Sequence, residues 1–115
     1  MTTIKSYTDL EQSKKLAEIL PLESADNYYS WHDNRYYVVN KDCPYPYSLK
    51  EKIPCWSLAA LFSVLPEGYS SIITKSFNGK DYHCELDGKP IETMADNPID
   101  ACYEMILKLN ELNLL

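Results

Sequence analysis

"YSSIITKSFNGKDYHCEL", residues 69–86, is the stretch on which the fold turns. A β-branched run, Ile72-Ile73-Thr74, precedes Asn78-Gly79, and Tyr82, Cys84 and Leu86 alternate with polar residues after it. Asn-Gly between two such runs is the strongest short-range hairpin signal, because both residues tolerate positive φ. The pattern predicts antiparallel strands over residues 69–77 and 80–86. Asp87-Gly88 makes a further turn, and residues 91–94 read as a short third strand with Pro90 at its start or edge.

Toward the C-terminus the next element is a helix. Asn97 is a natural N-cap, Pro98 suits the first helical position, and Asp100 favours the positive helix end. Ile99, Cys102, Ile106, Leu109 and Asn113 follow helical spacing, with Tyr103, Met105 and Leu112 broadening the stripe.

Toward the N-terminus, Pro54 reads as the first turn of a second helix running to Leu65. That segment is apolar almost all round, so it is expected to be deeply buried. Upstream lies "KDCPYPYSLKEKIPCW", residues 41–56, where Pro44 and Pro46 hold the residues before them extended. It has neither zinc-type ligand spacing nor a C-x-x-C pair, and it reads as the connection between two halves; a docking segment is the second reading. Before it, "NYYSWHDNRYYVV", residues 27–39, reads as another hairpin, with strands over 27–31 and 35–39 and Asn34 in the left-handed position. The first helix spans residues 9–20, opened by a Thr8–Glu11 capping box and stopped by Pro21.

The resulting order, α-ββ-α-ββ(β)-α, predicts a single α+β domain over residues 1–115. It is a small α/β/α-type sandwich, with an antiparallel or mixed sheet covered by helices.

From Cys55 onward the chain resembles the phage ABA sandwich domain family. The likeness rests on Trp56 in a helix, Leu65-Pro66-Glu67-Gly68-Tyr69, the Asn78-Gly79 hairpin, Asp96-Asn97-Pro98 and Ala101-Cys102. It covers about half of the chain. It implies a small sandwich of phage or mobile-element type and brings no catalytic residues with it.

The chain has 115 residues, 45% of them hydrophobic, and a net charge of −6. Residues 81–115 hold eight acids against Lys89 and Lys108, so the whole net charge falls in the last third. Arg35 is the only arginine, which disfavours nucleic-acid binding. No apolar run reaches the length of a membrane span or a signal peptide, so a cytoplasmic protein with free thiols is expected.

Several constellations invite chemistry. Asp81, His83 and Glu85 alternate along one predicted strand and would share a face, about 7 Å between neighbours. That is a candidate for acid–base or metal-dependent catalysis, set against the ordinary polar face of a half-buried strand. Cys43 or Cys55 beside His32 or His83 would be a nucleophile pair, with Cys55 activated by a helix N-terminus. No cofactor or metal is expected, since ligand spacing is absent.

The densest feature is aromatic. Tyr28, Trp31, Tyr36, Tyr45 and Tyr47 are the candidate contact residues for a protein partner or for self-association, because tyrosine and tryptophan are enriched at interface centres. The favoured expectation is a non-enzymatic interaction or accessory protein. A sharper form is an inhibitor that offers its acidic last third to a basic partner.

Overall fold

The helix α3, Pro98–Glu111, is the element against which the rest is assembled. The Asn97 side chain accepts from the Asp100 amide at 2.9 Å, and Pro98 occupies the first turn. The cap fixes the helix phase, and with it the buried stripe Ile99, Ala101, Cys102, Met105, Ile106 and Leu109. The computed structural model describes residues 5–32, 34–41, 53–66, 71–87 and 90–115.

The described residues form an α+β fold of three helices and two three-stranded antiparallel sheets. The second sheet has the order β4-β5-β6, from Ser71–Lys75, Tyr82–Leu86 and Glu92–Ala95. Its inner face presents Ile73, Tyr82, Cys84 and Leu86 to the core that α3 lines. The hairpin loop is longer than a two-residue Asn-Gly turn. Ser76 and Asp81 close it: the Ser76 amide donates to the Asp81 carbonyl at 2.8 Å. Within it the Gly79 amide donates to the Ser76 carbonyl, and the Asn78 side chain accepts from the Lys80 amide at 2.9 Å. Asn78 therefore works through its side chain, and Gly79 alone takes the positive φ, +74°.

The first sheet has the order β2-β1-β3, from Arg35–Asn40, Asn27–His32 and Ile53–Cys55. Asn34 turns the β1–β2 hairpin with φ +62°, as expected from its tolerance of the left-handed region. β3 corrects the sequence reading. Pro54 lies in an edge strand, opposite Tyr28, and not in a helix. An edge position is where a sheet accepts a residue lacking an N–H.

Helix α2 is correspondingly shorter, Leu58–Ser63, and Ser57 caps it by accepting from the Ala60 amide. Helix α1 spans Leu10–Ile19. Its capping box is made by Asp9 and Gln12 instead of Thr8 and Glu11. Thr8 is diverted because it is fully buried and its hydroxyl accepts from the Trp56 amide at 3.1 Å. A 3₁₀ turn, Leu22–Ser24, leads into β1.

Trp56 is the keystone between the halves. It is fully buried, its carbonyl accepts from the Thr8 amide, and its indole N–H donates to Ser24 Oγ at 2.9 Å. The core joins Leu16, Leu20, Trp56, Leu61, Cys84 and Leu86 to the α3 stripe. Among the described residues, β1 and β2 give it no apolar side chain. Among the described residues, β3 pairs with Asn27, Tyr28 and Tyr29 of β1.

Candidate functional site

The β1–β2 hairpin carries the aromatic cluster. Tyr29 pairs with Val38 and Trp31 with Tyr36, so these four side chains share one face. Trp31 and Tyr36 meet edge to face with centroids 4.8 Å apart, and Tyr29 reaches Tyr36 the same way at 6.3 Å. The body-proximal end of this face is anchored: the Tyr29 hydroxyl donates to the Thr8 carbonyl at 2.7 Å. The face is nonetheless open to solvent: Val38, opposite Tyr29, is 37% exposed, and Trp31, farther out, is 38% exposed. The anchor and the edge-to-face ring contacts hold these aromatic side chains in fixed orientations.

The opposite face carries Tyr28, Ser30, Tyr37 and Val39. There the Arg35 guanidinium stacks on Tyr37, 4.8 Å from the ring centroid, and donates to its hydroxyl. Tyr28 therefore belongs to a different surface from Trp31 and Tyr36, as two adjacent tyrosines on a strand must. Tyr45 and Tyr47 lie outside the described residues. Val38 was missed as a member of the patch, since only the cross-strand register places it opposite Tyr29.

Of the Asp81–His83–Glu85 comb, His83 and Glu85 lie on β5. Asp81 precedes β5 and is taken up in closing the loop, where its amide donates to Ser76 Oγ at 3.2 Å. His83 and Glu85 do share the outer face of β5, but the partner of His83 Nδ1 is Glu92 on β6. Glu92 in turn lies directly opposite Glu85. Ile72 and Met94, 41% and 57% exposed, flank the group on the neighbouring strands. Neither of two open clefts, about 200 and about 330 Å³, is lined by His83. Among the described residues, no group of three or more His, Cys, Asp or Glu side chains is arranged to hold a metal ion.

For Cys55 the nucleophile reading loses its physical basis. Cys55 sits in β3, so no helix dipole acts on it. Burial, and then the nearby Asp26 carboxylate, push its thiol up to about 12, which leaves it protonated at neutral pH. Cys43 lies outside the described residues. Cys84 on β5 and Cys102 on α3 are both fully buried, with sulfurs 3.9 Å apart. The hydrogen bond between them, and then burial, push the Cys102 thiol well above its ordinary range.

The Asp26 carboxylate is instead structural. Burial acts to raise Asp26, but bonds from the Ser57 hydroxyl and amide outweigh it and hold the carboxyl below its usual range. Ser57 also accepts from the start of α2, so Asp26 fixes that helix to the entry of β1. Among the described residues no helix is long and apolar enough to cross a membrane. Comparison with protein families, with curated proteins and with solved structures gives no match.

Proposed function

We propose that this chain is a small, non-enzymatic interaction or accessory protein, of phage or mobile-element type, that acts in the cytoplasm. It engages a protein partner or a second copy of itself through the Tyr29–Trp31–Tyr36–Val38 face. The observation that carries this reading is the Trp31–Tyr36 pair: two large aromatic side chains held against each other at 4.8 Å on a hairpin that the apolar core does not use. Tryptophan and tyrosine dominate the centres of binding surfaces because they supply much contact area at little conformational cost. The likeness of residues 55–110 to the phage ABA sandwich domain family supports the mobile-element origin. The acidic last third is a second surface of the same proposal, suited to a basic partner.

The test combines sedimentation over a range of concentrations with affinity capture, on the wild type and on the Trp31→Ala/Tyr36→Ala double variant. The expected result is association of the wild type, weakened ten-fold or more in the variant, at an unchanged melting temperature. Equal association of both proteins would remove this face from the proposal. Raising the salt separates the two surfaces, because screening weakens an acidic contact and spares an aromatic one.

A further inference from the structure

We infer that Cys84 and Cys102 form a modification site: a dithiol that peroxide converts to a disulfide, locking α3 onto the central strand of the second sheet. The two side chains come from different elements and meet in the core. Cys84 points inward from the middle of β5, between the inward-facing Tyr82 and Leu86. Cys102 lies in the stripe of α3 that covers that sheet, beside Ala101 and Met105. Their sulfurs are 3.9 Å apart and hydrogen-bonded, already at contact distance, and a disulfide requires about 2.05 Å. Either thiol packs as a small hydrophobe in the reduced state, so the pair costs the core nothing while it waits.

The third described cysteine is the internal control. Cys55 is as deeply buried, yet among the described residues no other cysteine is hydrogen-bonded to it, and its thiol is held at about 12. Burial by itself therefore does not mark the pair; proximity and the shared hydrogen bond do. Either sulfur can donate in this hydrogen bond; with Cys102 as the donor, Cys84 is favoured as the attacking thiolate.

The step balances with one peroxide. The Cys84 thiolate attacks a peroxide oxygen, the O–O bond breaks, and hydroxide leaves, giving a sulfenic acid. Cys102 then attacks the Cys84 sulfur, the S–O bond breaks, and water leaves. Two thiols are oxidised, one peroxide is reduced, and their two protons end in two waters. A small oxidant suits the site, because both thiols are fully buried and are reached by local opening. The bridge closes a loop between residues 18 apart, which restricts the unfolded chain and leaves the native contact in place.

The experiment treats the folded wild-type chain with hydrogen peroxide, then counts thiols by alkylation in denaturant. Digestion after glutamates separates the two cysteines at Glu85 and Glu92, so the linked peptides identify the bridge. The expected result is the loss of two alkylatable thiols, a Cys84–Cys102 peptide pair, and a higher melting temperature that reverts with dithiothreitol. Retention of both thiols under excess peroxide, a bridge through Cys43 or Cys55, or a lower melting temperature after bridging would overturn the inference.

Discussion

Lys5 and Asp100 lie 95 positions apart in the chain, and their side chains meet at 2.7 Å. Gln12 Nε2 donates to the same carboxylate oxygen at 2.7 Å, and Asn97 Nδ2 donates to the other at 2.8 Å. Asp100 thus ties the segment before α1, the first turn of α1 and the N-cap of α3 into one knot. Burial raises its pKa, and the bonds from Lys5, Gln12 and Asn97 outweigh burial, so the carboxyl ends below its ordinary 3.8. Lys5 is the mirror case. Burial lowers it, the bonds to Asp100 and Asp9 outweigh that, and it ends above its ordinary 10.5.

The pH dependence follows from these two signs. A depressed carboxyl contributes stability above its unfolded pKa, and the contribution is lost as pH falls through the folded value. A raised lysine contributes below its unfolded pKa and loses it as pH rises through the folded value. The knot is therefore intact from about pH 5 to 10 and fails at both ends. Asp100→Asn is expected to cost about 1–2 kcal/mol at pH 7. It should also flatten the acid limb of a melting-temperature profile between pH 6 and 2. A variant whose acid limb matches the wild type would show that Asp100 carries no such linkage.

Thr8 is a second crossing point, and a buried one. Its hydroxyl accepts from the Trp56 amide and shares a hydrogen bond with Ser13 Oγ at 2.8 Å. Thr8→Val keeps the shape and removes the oxygen, which orphans a buried N–H and weakens the setting of Ser13. The expected loss is about 1–3 kcal/mol, read from urea melts. Thr8→Ser keeps the hydroxyl and should recover most of it. Equal losses for valine and serine would mean that the threonine methyl group, and not the hydroxyl, is what matters.

How far the fold could be read depended on whether a signal was local. Asn97-Pro98, Asn34 and Gly79 act through their own dihedrals or caps, and each stands where its chemistry puts it. Pro54 misled because proline suits a helix start and an edge strand equally. The choice rests on Tyr28, 26 positions away, whose pairing with Pro54 no local pattern encodes. Glu92 escaped as the partner of His83 for the same reason, since cross-strand register depends on how the intervening turn closes. The aromatic hairpin was visible by composition, and alternation alone separates Trp31 from Tyr28, but only register brings Tyr36 to the Trp31 side. Thr8 looked like a cap because a capping box is local, while its actual task is set by Trp56.

Gly79 gives a test confined to the backbone. Its φ is +74°, and an added Cβ would meet nothing closer than Lys75 Cε at 3.8 Å. Gly79→Ala therefore creates no clash, and its cost of about 1–2 kcal/mol is the penalty of the left-handed region alone. Asn34, at φ +62°, is the converse, and Asn34→Gly should be within about 0.5 kcal/mol of neutral. Chemical denaturation of both variants measures the pair. A neutral Gly79→Ala would mean that the loop relaxes into another turn.

Ile106 and Leu112 test the phase of α3. Ile106 is fully buried in the core stripe, and Leu112 caps the helix at 50% exposure. Ile106→Asp introduces a carboxylate with no partner among Leu61, Cys102 and the other apolar side chains of the core, and burying an unpaired charge costs more than a small domain has to spare. The expected outcome is a chain with no cooperative thermal transition. Ile106→Ala keeps the site apolar and should lose about 2–5 kcal/mol while still folding, so it distinguishes the charge from the missing volume. Leu112→Asp should cost no more than about 1 kcal/mol, because the side chain is half exposed and the main penalty is a carboxylate at the negative end of the helix. Circular dichroism melts of the three variants read the helix phase directly: a cooperative Ile106→Asp transition near the wild-type temperature would put the buried stripe on a different face of α3.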